Sequence, residues 1–373
     1  MPYSESMVQR RYNPEKIATL RERLLEWYER NARDLPWRRS SDPYAIWVSE
    51  IMLQQTRVAV VVDRFKAFLA RFPTLTSLVL AREEDVLAVW SGLGYYRRAR
   101  MLQKAARYLV DHCQGKLPST TVELRLLPGI GAYTAAAIAS IAFGEAVAVV
   151  DGNVERVLCR LEGWAAGGQA GGAAFKRKIE ALAAQLVDPK RPGDSNQALM
   201  ELGATVCLPR NPQCLACPWF GDCKTQGEHR TTPRPRMLSQ EVAQALSVRT
   251  GRDPNPASRE VLLEQRPASL TVMPGLWELP ALIDSEVPEE KVLMTIRHAI
   301  MQVNYYVRIS TVREDDVGAK TDVGGERRWV PVGEAAGMPL TGLARKVLAR
   351  AHILPAAELD GIGERSLSEI AVE

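Results

Sequence analysis

Four cysteines fall within seventeen residues and could together hold a metal. Their spacing is C-x6-C-x2-C-x5-C, and they are Cys207, Cys214, Cys217 and Cys223. Thiolates that converge in so short a segment need a cation to offset their charge. Four-cysteine sites hold either zinc or an iron–sulfur cluster, so the residues alone predict a metal centre of one kind or the other. The remaining pair, Cys113 and Cys159, falls on apolar helical faces and is expected to form core thiols.

A carboxylate that could stabilise positive charge is Asp151. The apolar run AVAVV (146–150) precedes it, and Gly152 and Asn153 follow. Aspartate is preferred at helix N-caps and a helical pattern follows, so capping is the structural interpretation. The capped N–H groups would also stabilise the charged form of the carboxylate. An ionised Asp beside a sugar carbon suits an oxocarbenium-like transition state, and the two interpretations are compatible.

A second carboxylate, Glu50, lies in the stretch DPYAIWVSEIMLQQTRV (42–58). Asp42 as N-cap and a proline after it predict a helix start. Glu50 shares a helical face with Ile46 and Leu53, so we expect it to be half-buried. Burial would raise its pKa and suit it to general acid catalysis, whereas an exposed helical glutamate is the structural alternative. Two carboxylates whose surroundings separate their pKa values form an acid and stabiliser pair.

The stretch LPGIGAYTAAAI (127–138) predicts a tight turn that leads into a helix. Gly129 and Gly131 would leave backbone N–H groups pointing outward at the helix start, where they could bind a phosphate oxygen. An ordinary packing corner between two helices is the structural alternative.

The elements that must position these groups are mostly helical up to the last clustered cysteine. Apolar residues recur at helical spacing with Pro, Gly or Asp stops between segments. The predicted helices cover 14–31, 43–58, 60–71, 83–89, 96–113, 121–126, 132–143, 152–163, 173–187 and 194–203. The glycine-rich stretch 165–174 is predicted to be a loop and, with no strand before it, not a dinucleotide site.

The sequence changes character after residue 223. Residues 224–240 are polar and contain proline, which predicts a linker, and residues 356–373 resemble a polar tail. Between them an α+β domain is predicted. Its strands would cover 242–250, 260–267, 304–311 and 327–332, and its helices 287–298 and 341–353.

Length and charge agree with a multi-domain protein whose first part meets a polyanion. The 373 residues suffice for two or three domains. Residues 1–236 hold 33 Lys and Arg against 24 Asp and Glu, a balance of +9, while residues 237–373 hold 15 against 20, a balance of −5. A basic first part favours a polyanionic partner. Without a signal-like N-terminus or a long apolar run, we expect an intracellular, cytoplasmic protein, associated with the nucleoid through DNA.

Several strings together resemble MutY-type adenine DNA glycosylases of the endonuclease III, or helix–hairpin–helix, superfamily. They are LPWR (35–38), SEIMLQQTRV (49–58), GLGYYRRAR (92–100), LPGIGAYTA (127–135), VDGNVERVL (150–158) and the cysteine segment, whose spacing resembles a [4Fe–4S] loop. The resemblance implies an all-α glycosylase domain over 1–223, with a six-helix barrel at about 38–148 and an iron–sulfur half from 1–37 plus 149–223. A linker (224–240), a Nudix-like domain (241–355) and the tail (356–373) would follow.

The same resemblance implies roles for individual residues. Glu50 would protonate adenine N7 and later assist attack by water, and Asp151 would stabilise the oxocarbenium ion. Tyr133 and Asn153 would position these two. Gln55 and Tyr95 would wedge into the base stack when adenine is flipped out. The full set expected at the base or DNA is Leu35, Trp37, Arg38, Gln55, Thr56, Arg57, Leu93, Tyr95, Gly129 and Gly131.

One residue of the hairpin separates two subclasses. Bifunctional relatives carry a Schiff-base lysine where this chain has Tyr133, so the resemblance implies a monofunctional glycosylase. A glycosylase and lyase acting on oxidised pyrimidines, and a non-catalytic DNA-binding module, are the alternatives. The implied partner is double-stranded DNA with A:8-oxoguanine or A:G mispairs, bound by a monomer.

The C-terminal part resembles the MutY domain that is similar to Nudix hydrolases, beginning at 259–280 and without the Glu-rich metal-binding box. In the family a loop written H-x-F-S-H reads 8-oxoguanine. Here the corresponding stretch, 298–302, reads His-Ala-Ile-Met-Gln. Ile300, Met301 and Gln302 therefore imply retained but altered recognition of the opposite base, because Ile and Met cannot replace the polar serine contact.

Overall fold

The computed structural model describes residues 13–164, 172–229, 237–250, 259–283, 287–300, 302–312 and 325–354. These residues fall into two compact units that interleave along the chain. The first draws on 1–54, 69–79 and 101–234, and the second on 55–68, 80–100 and 235–373. The domain boundaries predicted from the sequence remain a prediction.

Eleven helices form the described chain up to residue 223. They are α1 Pro14–Asn31, α2 Pro43–Leu53, α3 Val58–Arg71, α4 Leu75–Leu80, α5 Glu83–Val89, α6 Arg97–His112, α7 Thr121–Leu124, α8 Ala132–Phe143, α9 Gly152–Glu162, α10 Ala173–Leu186 and α11 Pro192–Thr205. Short 3-10 turns lie at Pro36–Arg38, Cys214–Ala216 and Phe220–Asp222. Nine of the ten predicted helices agree with these bounds to within two residues, and α4 was not predicted.

The predicted helix 43–58 is wrong at its C-terminal end. Helix α2 stops at Leu53, and the chain turns through 54–57 before α3 begins. Gln55 has a φ of 56°, in the left-handed region, which interrupts the helical hydrogen-bond pattern. A run of good helix formers masks this break, because nothing in its composition signals a left-handed residue.

Helices α2 and α8 are apolar on nearly every side and lie in the interior of the first unit. Residues 44–52 of α2 and 134–140 of α8 are all buried. The small alanines of α8 let its backbone approach α2 closely, and Gln54 Nε2 donates to Thr134 Oγ1 at 3.0 Å. A polar residue on either helix is therefore buried.

The remaining core of the first unit lies among α1, α9, α10 and α11. Leu24, Leu158, Leu186 and Leu202 are fully buried there. Trp219, from the cysteine segment, packs into the same core and donates through Nε1 to the Leu20 carbonyl at 2.9 Å. The cysteine segment is thus anchored to the helical core.

Among its described residues, the second unit contains two four-stranded sheets. The strands are β1 Leu238–Leu246, β2 Val248–Thr250, β3 Arg259–Gln265, β4 Trp277–Glu278, β5 Ala281–Leu282, β6 Val292–Ile300, β7 Val303–Thr311 and β8 Arg327–Pro331. One sheet has the order β5-β1-β7-β6, with only β1 and β7 parallel, and the other joins β2, β4 and β8 around β3. Helices α12 Val332–Ala335 and α13 Gly342–Arg350 follow, and α13 buries Val347 and Leu348 against both sheets' residues.

The predicted helix at 287–298 is wrong. The structure has a 3-10 turn at Glu289–Lys291 followed by β6, which pairs antiparallel with β7. Burial along β6 alternates around the buried Ile296, as a strand with one solvent face requires. Its β-branched residues fit this pleated surface better than a helix.

Some predictions fall wholly or partly outside the described residues. These are most of the loop 165–174, the tail 356–373, and residues 230–236 of the linker 224–240. Strand β1 begins at Leu238, within the segment predicted as linker. In the part of the chain that the structure describes, no helix is both long and apolar enough to cross a bilayer.

Candidate active site

Glu50 is buried in the middle of α2. Asp42 caps the helix by accepting from the Tyr44 N–H at 3.0 Å, and Pro43 occupies its first turn. Because this helix is buried on all sides, Glu50 is only 5% exposed, less than the half-buried position that the sequence predicted. Burial raises the pKa of Glu50 to about 7. The carboxyl is therefore available as an acid near neutral pH.

Three groups face the Glu50 carboxyl. The Tyr133 hydroxyl forms a hydrogen bond with it and Arg38 attracts its negative charge, and both lower its pKa, while Asp151 raises it. Burial, followed by Glu50 itself, holds the pKa of Tyr133 well above its ordinary value, so the phenol stays neutral. The Tyr133 hydroxyl also contacts Met200 Sδ at 3.3 Å. Among the described residues, none forms a hydrogen bond with Glu50 Oε2.

Asp151 is the N-cap of α9, as predicted. Its Oδ1 accepts from the Val154 N–H at 2.7 Å, and its Oδ2 accepts from Asn153 Nδ2 at 2.9 Å. Two N–H donors thus fix the orientation of the carboxylate, and this environment suits an anion. The structure brings Glu50, Tyr133, Asp151 and Asn153 together at one place.

Arg156 donates a hydrogen bond to the Asn153 side chain and so fixes its orientation. Arg156 was missed in the sequence. Its Nη2 donates to Asn153 Oδ1 at 2.9 Å and to the Gly203 carbonyl at 2.7 Å, and its Nε donates to the Cys207 carbonyl at 2.9 Å. A Cβ on Gly203 would lie 2.7 Å from Asn153 Cβ, so only glycine fits beside it. The signal available in the sequence was the three-residue spacing from Asn153 along α9.

A buried ion-pair network around Glu201 was also missed. Glu201 accepts from Arg33 Nε at 2.7 Å and Nη2 at 2.8 Å, and from Arg38 Nη2 at 2.9 Å. Burial acts to raise the pKa of Glu201, but the hydrogen bonds from both arginines outweigh it and the pKa falls to about 2. Glu201 thereby fixes Arg38, which faces Glu50. No local sequence signal pairs residues so distant in the chain.

The hairpin before α8 requires glycine at one of its two positions. Gly129 has a φ of 77°, and a Cβ there would lie 2.5 Å from Met101 Cβ. Gly131 is the N-cap of α8 with a φ of −88° and open space around it. No side chain caps this helix start in the described structure, so its first N–H groups are available to a phosphate, as the sequence predicted.

All four clustered cysteines line one cavity, together with Val157, Arg160, Leu202, Trp219 and Gln226 among others. Burial, and then the neighbouring thiols, raise the pKa of Cys217 to about 11. Arg160 Nη1 approaches Cys207 Sγ at 3.4 Å, and the Gln226 N–H approaches Cys223 Sγ at 3.5 Å. Within the described ranges, no three metal-binding side chains form a group that could hold a single metal ion.

Two other residues of the first unit that were predicted to lie around the adenine pocket and the DNA are buried. Leu35 precedes the 3-10 turn that carries Arg38 and Trp37 lies within it, and each is only 7% exposed.

In the second unit the predicted residues lie on two turns. Gln55 and Arg57 are exposed, with Thr56 between them, and Tyr95 is 51% exposed, whereas Leu93 is buried. The predicted opposite-base residues lie at the β6–β7 turn. Ile300 ends β6, the exposed Gln302 accepts through its carbonyl from the Leu238 N–H at 2.9 Å, and Met301 lies outside the described residues.

This chain is similar to a family of DNA repair proteins and to relatives named adenine DNA glycosylases. Residues 48–187 match the family described as HhH-GPD superfamily base excision DNA repair protein. The chain is 49% identical over 220 residues to the adenine DNA glycosylase of Homo sapiens, a match that covers 57% of this chain and 40% of that protein. It is 33% identical over 332 residues to the adenine DNA glycosylase of Schizosaccharomyces pombe, covering 73% of this chain and 71% of that protein.

The chain belongs to the adenine DNA glycosylases. A solved thermostable thymine-DNA glycosylase supports the fold, with a TM-score of 0.52 and 29% identity over 57% of this chain and 97% of that one. The helical part of this adenine DNA glycosylase family member is therefore a glycosylase fold, joined to a C-terminal region that contains sheets. The chain spans 40% to 64% of the length of the mammalian relatives it matches.

Proposed function

We propose that this chain hydrolyses the N-glycosidic bond of adenine in DNA. The observation that carries the proposal is the buried Glu50, whose pKa lies at about 7, beside Asp151, whose carboxylate accepts two N–H hydrogen bonds. The first group suits a proton donor, and the second suits an anionic stabiliser of a sugar cation.

In the proposed reaction, Glu50 gives one proton to the base and regains another from water. Glu50 donates its proton to adenine N7, and the C1′–N9 bond breaks so that its electron pair leaves with the base. Asp151 stabilises the resulting oxocarbenium ion through its fixed orientation. The Glu50 carboxylate then takes a proton from the attacking water, which restores the acid. Tyr133 remains a neutral hydrogen-bonding group throughout.

We further propose that strand cleavage does not accompany base loss. A lyase step requires an amine that condenses with C1′ to form a Schiff base. The hydroxyl group of Tyr133, which occupies the corresponding hairpin position, cannot form one. The substrate is proposed to be adenine opposite 8-oxoguanine or guanine in duplex DNA. The sheet-bearing, Nudix-like region would recognise the opposite base, with a preference altered by the residues from Ile300 to Gln302.

The cysteine cavity fits a [4Fe–4S] cluster better than a single ion, and we propose this cofactor. Its four thiols surround one cavity, and Arg160 and the Gln226 N–H approach two of the sulfurs. Hydrogen bonds from such donors to the sulfurs tune the reduction potential of iron–sulfur clusters. Cys207, Cys214, Cys217 and Cys223 would hold the cluster here. The bound cluster would supply a structural cross-link between the segment after α11 and the helical core.

A gel assay on labelled duplexes tests the proposal. The wild-type chain is expected to release adenine opposite 8-oxoguanine or guanine, and strand breaks should appear only after alkali. Glu50→Gln and Asp151→Asn are expected to lose most base release, whereas Glu180→Gln, an exposed helical carboxylate, should keep it. Breaks without alkali would indicate a lyase, and binding without base loss would indicate a DNA-binding module.

A further inference from the structure

Two exposed residues on neighbouring turns of the second unit, Gln55 and Tyr95, are among its non-glycine residues that hold left-handed backbone conformations. Gln55, in the turn after α2, has a φ of 56°, and Tyr95, in the turn before α6, has a φ of 46°. Such a conformation costs about 1–3 kcal/mol and persists only where neighbouring groups enforce it. Some group must therefore hold both turns.

Arg98, in the first turn of α6, contacts both of them. Its Nη2 donates to Thr56 Oγ1 at 3.0 Å, to the Leu93 carbonyl at 2.9 Å and to the Gly94 carbonyl at 3.1 Å. Thr56 Oγ1 itself donates to the Leu93 carbonyl at 3.3 Å. One guanidinium nitrogen thus joins the residue after Gln55 to the two residues before Tyr95.

The aromatic side chains around Arg98 complete this arrangement. The guanidinium carbon lies 5.6 Å from the centre of the Trp90 ring and 5.5 Å from that of Tyr95, within the range of cation–π attraction. Trp90 Nε1 also donates to the Gly94 carbonyl at 3.2 Å. Arg98 therefore contacts the half-exposed Tyr95 through its ring as well as through its backbone turn.

We propose that Arg98 is a positioning residue that clasps turn 54–57 to turn 92–96, so that Gln55 and Tyr95 are presented to DNA together. Only the DNA-facing role of the two residues rests on the proposed function. The clasp itself follows from the contacts. Lysine is a poor replacement, because a compact and strongly hydrated ammonium group does not stack on the Trp90 and Tyr95 rings as the planar guanidinium does.

Hydrogen–deuterium exchange of the full chain without DNA tests the clasp. Arg98→Met and Arg98→Lys should both accelerate exchange in 54–57 and in 92–96, by about tenfold for Met, because charge-assisted hydrogen bonds are lost. Arg107→Met, an exposed guanidinium further along α6, is the control and should change neither turn. Acceleration in only one turn, in neither turn, or throughout the chain would overturn the clasp.

A second measurement tests the consequence for DNA. With 2-aminopurine beside the target adenine, Arg98→Met should lower the fluorescence rise that reports base flipping and slow single-turnover base release by about tenfold. The pH midpoint of release should not move, because Glu50 is untouched. Unchanged flipping despite two loosened turns would overturn the DNA-facing role. If the wild-type chain releases no adenine, the proposed function fails while the exchange result still decides the clasp.

Discussion

At the scale of single residues, the decisive feature is the raised pKa of Glu50. Because Glu50 lies in a helix that is buried on nearly every side, it keeps its proton to about pH 7. Asp151, whose charge acts on Glu50, is instead held by two N–H donors. Glu50 is buried, whereas Asp151 caps a helix. These two environments suit one carboxyl group to act as an acid and the other to stabilise a cation.

The rate of base release should depend on the protonation of Glu50. The acid form is the reactive one, so the single-turnover rate is expected to be constant below the pKa of about 7 and to fall about tenfold for each pH unit above it. A rate–pH profile measured with saturating enzyme checks this expectation. A rate that rises between pH 6 and 8 would contradict it.

Glu50 should also make stability depend on pH. Its folded-state pKa of about 7 exceeds the ordinary value of 4.5, so the stabilising preference for the proton is present below pH 4.5 and is lost as pH rises towards 7. Glu50→Gln removes this loss and should stabilise the protein at pH 8 by up to about 3 kcal/mol. Urea unfolding at pH 5 and pH 8 measures the difference, which should shrink at the lower pH. Equal effects at both values would argue against a raised pKa.

At the scale of elements, the buried α2–α8 pair and the turns around it set the geometry of the site. Gly129 has a left-handed φ, and the Met101 side chain leaves no room for a Cβ at this position. Alanine there should cost about 2–4 kcal/mol of folding free energy, from backbone strain and overpacking combined. Gly131→Ala is the control, since its φ is ordinary and a Cβ meets open space. Thermal unfolding of both variants decides, and equal midpoints would contradict the account.

The Glu201 network should matter far more than an exposed ion pair. Glu201→Gln leaves Arg33 and Arg38 without their buried carboxylate and should cost about 3 kcal/mol or more. Glu29→Gln removes an exposed carboxylate that pairs with Arg191 and should cost less than about 1 kcal/mol. Urea unfolding of the two variants compares them directly. A cost for Glu201→Gln no larger than that for Glu29→Gln would refute the network's importance.

The helices up to residue 223 could be predicted from the sequence because their signals are local, whereas the catalytic roles of Glu50, Tyr133, Asp151 and Asn153 stay predictions. Periodicity, the Asp42 and Asp151 caps and the hairpin glycines all act within a few residues. Prediction from the sequence failed where the deciding interaction is distant. Pairing with β7 makes 292–300 a strand, and Arg98 donates to Thr56, in the turn that follows α2, through a contact that only the folded chain creates. Glu201 was missed for the same reason, whereas Arg156 had a local signal in its three-residue spacing from Asn153 along α9.

At the scale of the whole molecule, the proposed [4Fe–4S] cluster would tie the cysteine segment to the helical core. Protein purified without chelator should contain four iron and four acid-labile sulfide atoms per chain, as a [4Fe–4S] cluster demands. Cys217→Ser should lose the cluster and unfold at a lower temperature, whereas Cys113→Ser should retain both cluster and stability. Iron, sulfide and zinc analysis of the three proteins checks this prediction. Stoichiometric zinc without sulfide would contradict it.

The central claim is that Glu50 acts as the acid that releases adenine. Chromatographic detection of free adenine from an A:8-oxoguanine duplex, with enzyme in excess, tests it most directly. The wild-type chain should release the base, and Glu50→Gln should release it at least about a hundredfold more slowly while binding the same duplex, since general acid catalysis contributes about that much or more. Release of adenine by Glu50→Gln at the wild-type rate would contradict the account.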